Sequence, residues 1–170
     1  MDVLQVPFTS AALLLAIAGV QKLRDPHALS RALRLAGLPH SAHMVRGLAS
    51  VEIATAAAAI SVHHRIVPLV VAALYLSFAV FVTSALARGL PIESCGCFGR
   101  SDARPSAAHV ALDAFAATIA ALVALDDVEP VRALIADKPG EGIAVVIVAA
   151  ALALLAAAWL RGSRRRVAIH

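Results

Sequence analysis

Five stretches of the chain run apolar without alternation, with short polar segments between them: residues 3–23, 44–62, 66–87, 105–125 and 142–160. Each is close to the ~20 residues that cross a bilayer core as a helix. Continuous Ala/Leu-rich runs favour helices over barrel strands, which would alternate apolar and polar positions. The pattern predicts an all-α polytopic membrane protein: a four-helix transmembrane bundle (1–125), a polar loop (126–141), and a fifth C-terminal transmembrane helix with a basic tail (142–170). Within the first connection, Asp25 followed by Pro26 reads as a helix cap and first helical residue. Leu29, Ala32, Leu33 and Ala36 share one face, and Gly37 then Pro39 ends the segment. This predicts a short amphipathic helix at the membrane surface, or a plain capped connector.

Composition supports the membrane assignment. Hydrophobic residues make up 61% of the 170 and charged residues 15%, with a mean hydropathy of +0.84. A soluble domain is ~45–50% apolar and ~25% charged. Soluble globular, disordered and disulfide-scaffold classes are therefore excluded, the last also because there are only two cysteines. The net charge of +4 does not point to nucleic acid, because the cations sit at the ends of the apolar runs and no aromatic-interleaved basic surface accompanies them.

Those cations predict an orientation. One side of the membrane collects Lys22, Arg24, Arg31, Arg34, Arg46, Arg88, Arg100, Arg104, Arg161, Arg164, Arg165 and Arg166, twelve in all; the other has three, Arg65, Arg132 and Lys138. The positive-inside rule places the first side in the cytoplasm and the N-terminus outside. The expected location is the inner (plasma) membrane. No Lys or Arg precedes Lys22, so the first span reads as retained rather than as a signal peptide.

Both cysteines fall in one segment of the third connection, residues 93–104, as Cys95-Gly96-Cys97. Arg100, Arg104 and the start of the fourth span are close in sequence and would favour thiolate. Three readings fit: a redox-active dithiol/disulfide, a metal site using two thiolates and His109, or two inert residues in a turn. The redox reading leads, because a Cys-x-Cys ring is tight and readily reduced and closes too short a loop to stabilise a fold. The metal reading lacks a four-ligand spacing.

Three ionisable residues lie inside spans: Glu52 in the second, His109 and Asp113 in the fourth. Their cost in lipid predicts that they face the bundle interior. His109 and Asp113, at i and i+4, share a face and could carry protons beside a thiol-exchange site. The structural alternative is a polar cluster joining helices, with Asp113 accepting from His109 and Glu52 pairing with Arg46 or Lys22. The adjacent His63 and His64 read as solvated loop residues.

The run Gly19-Val20-Gln21-Lys22-Leu23-Arg24-Asp25-Pro26, with the amphipathic stretch to Gly37-Leu38-Pro39, resembles the DoxX-like membrane proteins. Cys95-Gly96-Cys97-Phe98-Gly99 just before a span, with Glu52 in the second span, looks like the MauE branch, the methylamine-utilisation membrane proteins. The resemblance covers about residues 10–125. It implies a four-helix bundle and a role in disulfide formation or electron transfer for a thioredoxin-like or other thiol partner, in methylamine users the maturation of a disulfide-rich dehydrogenase subunit. The architecture is also similar to that of quinone-linked disulfide-forming membrane enzymes, which makes a quinone the candidate cofactor, although no residue set specifies its site. Those enzymes carry Cys-x-x-Cys and a second pair; this chain has neither, so any second thiol comes from a partner or a small thiol. The resemblance would put the cysteines on the oxidising outer side, whereas the charge rule, which is read from this chain, puts them inside.

The leading expectation is thus thiol–disulfide exchange at Cys95 and Cys97, assisted by Arg100, His109, Asp113 and Glu52. The alternatives are a small-substrate transporter subunit using Glu52, His109 and Asp113, and a non-catalytic membrane docking subunit.

Overall fold

The computed structural model describes residues 3–92, 105–126 and 128–162. These form seven helices: α1 (Gln5–Arg24), α2 (Pro26–Leu35), α3 (Ala42–Ser61), α4 (Ile66–Ala87), α5 (Ala107–Asp126), α6 (Val131–Asp137) and α7 (Pro139–Gly162). Five of them, α1, α3, α4, α5 and α7, are long and apolar enough to cross a membrane. Every predicted span coincides with one of these to within three residues at each end.

The first four spans close into a ring in which α1 packs on α3, α3 on α4, α4 on α5 and α5 back on α1. Its core mixes small and large residues, among them Phe8, Ala12, Leu15, Ala56, Val71 and Ala120. Larger apolar side chains such as Leu69, Leu76, Phe115 and Leu122 point outward. Small residues inside and large apolar ones outside suit a lipid solvent, where close backbone packing holds helices together because lipid gives no hydrophobic drive to association. The fifth span, α7, lies outside this ring against α1. Ala153, Ala157 and Leu160 of α7 pack on Leu14 and Ala18 of α1, with Ala108 and Leu112 of α5 alongside. The four-residue spacing of buried alanines gives α7 a smooth stripe that fits the α1 surface.

The amphipathic helix of the first connection forms as α2. Asp25 caps it, its Oδ1 accepting from the His27 N–H at 3.2 Å, and Pro26 occupies the first turn. Leu29 and Ala32 bury against Val45, Ala85 and Ile92, so α2 is packed onto the ends of the spans as well as lying across them. Its C-terminus closes on Gly37 at φ 76°, with Gly37 N–H donating to Arg34 O and Leu38 N–H to Leu33 O. The same paired closure ends α4 at Gly89 (φ 58°). Both need the left-handed backbone that glycine adopts without strain.

The stretch read as a polar loop holds a helix that periodicity did not reveal. α6 has seven residues, too few for a repeating pattern to register. It folds back on α7, where a Cβ on Gly142 would come within 2.6–2.7 Å of Ile135 side-chain and backbone atoms. Gln5 Nε2 donates to Glu129 O at 3.0 Å, tying this connection to the start of α1.

Candidate functional site

The centre of the described chemistry is a buried ion pair between α1 and α3. It depends first on Gly19. A Cβ there would lie 2.8 Å from Ile53 Cγ1 and 2.9 Å from Ala49 O, so only glycine lets the two backbones cross this closely. Lys22 is one turn further on. Side chains on a helix lean toward its N-terminus, which carries the Lys22 ammonium back to the level of the crossing. There Nζ donates to both carboxylate oxygens of Glu52, at 2.7 and 2.8 Å. The side chains are 1% and 0% exposed. Burying two charges is tolerable only with such geometry, because desolvation opposes the Coulomb attraction.

Helix α4 completes the enclosure. The Lys22 ammonium lies 5.0 Å from the centre of the Phe78 ring, whose face attracts cations. Phe78 meets Tyr75 edge-on at 6.2 Å. The Tyr75 hydroxyl donates to Ala11 O at 2.7 Å, fastening α4 to α1 on the same side of the core.

Of the two partners considered for Glu52, the structure selects Lys22; Arg46 is exposed. This corrects the charge count, which placed Lys22 in the first connection. It belongs to the last turn of α1 and is neutralised inside the bundle, which leaves eleven cations against three. The asymmetry, and the orientation it predicts, are unchanged. Sequence reasoning did not pick out Lys22 as a site residue. The available signal was a lysine inside an otherwise apolar run with a glutamate at mid-span in the next long helix.

His109 and Asp113 lie on α5. His109 is 4% exposed and its Nδ1 is 2.9 Å from Ser106 Oγ. A serine hydroxyl can donate or accept, so this contact orients the ring without fixing its tautomer. Asp113, one turn on, is half-buried. Helices α3 and α5 stand across the ring from one another, so Glu52 enters the bundle interior from one side and His109 from the other. Cys95, Cys97 and Arg100 lie outside the described residues. What is described is the frame that bounds their segment. The chain leaves from Ile92, packed against α2, and returns at Pro105 and Ser106 immediately before His109. This is the bundle end that carries α2; the Lys22–Glu52 pair lies deeper, with Glu52 midway along α3. Among the described residues, no group of three or more His, Cys, Asp or Glu is placed to hold a metal ion.

Residues 3–126 match the family model described as Methylamine utilisation protein MauE. The matched region runs from α1 to the end of α5 and takes in the segment with both cysteines; α6 and α7 follow it. Neither a curated protein nor a solved structure matches the chain.

Proposed function

From the membership of this chain in the MauE family, we propose that it is a membrane protein of methylamine utilisation that exchanges disulfides with a thiol partner through Cys95 and Cys97. The observation that carries this reading is the position of the chain's two cysteines. They fall two residues apart, within the family match, in the connection that re-enters the bundle at a buried histidine.

The exchange balances without a further oxidant. In the oxidising direction one thiolate attacks a sulfur of the partner's disulfide, a mixed disulfide forms, and the partner's other sulfur leaves as thiolate. The second cysteine of the pair then attacks the mixed disulfide. A Cys95–Cys97 disulfide remains here and a dithiol leaves on the partner. Two electrons pass to the partner, and two protons move from this pair to the departing thiolates. His109 and Asp113 are the groups that carry those protons, and Arg100 favours the attacking thiolate. The Lys22–Glu52 pair does no chemistry in this scheme; it holds α1 to α3 inside the bundle. A thioredoxin-like protein supplies the partner dithiol/disulfide, and the cation asymmetry puts the exchange on the cytoplasmic face. A transport pathway through Glu52 is disfavoured, because its carboxylate is fully enclosed and both oxygens are held by Lys22.

The test is mass-tagging with a membrane-impermeant maleimide on right-side-out and inside-out vesicles, before and after mild reduction. Labelling confined to inside-out vesicles and dependent on the reductant is the expected result. Labelling of both cysteines indifferent to reductant would overturn the exchange reading.

A further inference from the structure

The outer face of α2 carries a feature that thiol exchange does not use. His27, Ser30, Arg31 and Arg34 fall at i, i+3, i+4 and i+7 of the helix, which is one face. The turn at Gly37 brings His40 back to the same place, and these five residues line an open concavity of about 210 Å³. A water molecule occupies ~30 Å³ of liquid, so the space takes several waters or one phosphate group. The side chains around it are basic or hydroxylic, and no carboxylate lines it. Asp25, the acidic residue at this end of α2, holds the cap instead. The Ser30 hydroxyl is shielded from solvent and has no hydrogen-bond partner among the described residues, although buried hydroxyls are normally satisfied. His40 Nδ1 is engaged with Leu38 O at 3.1 Å, which holds the ring in place.

We propose that this concavity binds the phosphate of an anionic phospholipid headgroup. Two guanidinium groups one turn apart match phosphate oxygens with paired, charge-assisted hydrogen bonds. The lipid is favoured over free phosphate by location. α2 is packed across the ends of the spans, and exposed apolar Leu35, Leu38 and Met44 follow the basic residues along the chain. Basic side chains beside the ends of membrane spans attract anionic lipid headgroups.

Native mass spectrometry of the full chain in detergent tests the assignment, with phosphatidylglycerol, phosphatidylcholine of the same acyl chains, and inorganic phosphate as probes. Wild type should retain one phosphatidylglycerol in preference to phosphatidylcholine. The Arg31→Gln/Arg34→Gln double variant should bind it roughly tenfold to thirtyfold more weakly, at about 1 kcal/mol per surface cation. Both arginines are exposed and glutamine suits a helix, so the variant should melt with the parent. Arg132→Gln/Lys138→Gln, at the other end of the bundle, should leave binding unchanged. Equal retention of both lipids, undiminished binding by the α2 variant, or occupancy by inorganic phosphate with no lipid preference would each overturn the proposal.

Discussion

Breaking the Lys22–Glu52 pair one side at a time should be far more damaging than removing it whole. Lys22→Met leaves a carboxylate enclosed at 0% exposure with no cation, and Glu52→Leu leaves the ammonium in the same position. Truncating one member of a buried pair costs ~3–5 kcal/mol, most of it the desolvation of the orphaned charge. The Lys22 variant also loses the cation–π contact with Phe78, worth about 0.5–2 kcal/mol. The double variant Lys22→Met/Glu52→Leu replaces the pair with apolar side chains that can pack between α1 and α3, and should lie within about 1 kcal/mol of wild type. The cycle therefore predicts a coupling of at least about 5 kcal/mol. Thermal unfolding in detergent, followed by circular dichroism, reads this directly. At ~2–4 °C per kcal/mol for a chain of this size, each single variant should melt about 10 °C below the parent and the double variant close to it. Single variants that melt with the parent would refute the reasoning, as would a double variant that shows the sum of the two losses.

Three further outcomes follow from the geometry. Gly19→Leu should force α1 and α3 apart, because a side chain would meet Ile53 and the Ala49 carbonyl; the cost is about 1–3 kcal/mol or more, and a melting temperature unchanged from wild type would contradict the crossing. Tyr75→Phe removes the hydroxyl that donates to Ala11 O but leaves the ring contact with Phe78, so about 1 kcal/mol of stability should be lost on the same melting curve. Of Cys95→Ser and Cys97→Ser, one should accumulate a reductant-sensitive adduct with the thiol partner on non-reducing gels, while the double variant accumulates none; no adduct from either single variant would count against exchange.

The sequence was most legible where lipid imposes a simple demand. Unbroken apolar runs set the five spans, and Asp25-Pro26 with Gly37 set both ends of α2. The partner of Glu52 was narrowed to two cations but not chosen. Arg46 and Lys22 both fall near the same end of neighbouring helices, and what selects Lys22 is the depth of the crossing at Gly19, a three-dimensional property. α6 escaped because one or two turns carry too little periodicity to stand out from a polar loop. His109 was expected to face the interior and does, since an imidazole at a span's first turn has no favourable place in lipid. Its contact with Ser106 follows from i,i+3 spacing and could have been read from the chain.

The charge pair between α1 and α3 also bears on how the protein enters its membrane. These are the two least apolar of the five spans, and each brings one ionised group that lipid would reject. Thirty residues separate those groups, so the lysine emerges from the ribosome ahead of its counter-ion. Neither segment is well suited to partition into the bilayer by itself, yet together they are neutral and tightly apposed. Entering the bilayer as a helical hairpin would present lipid with one neutral unit in place of two charged ones.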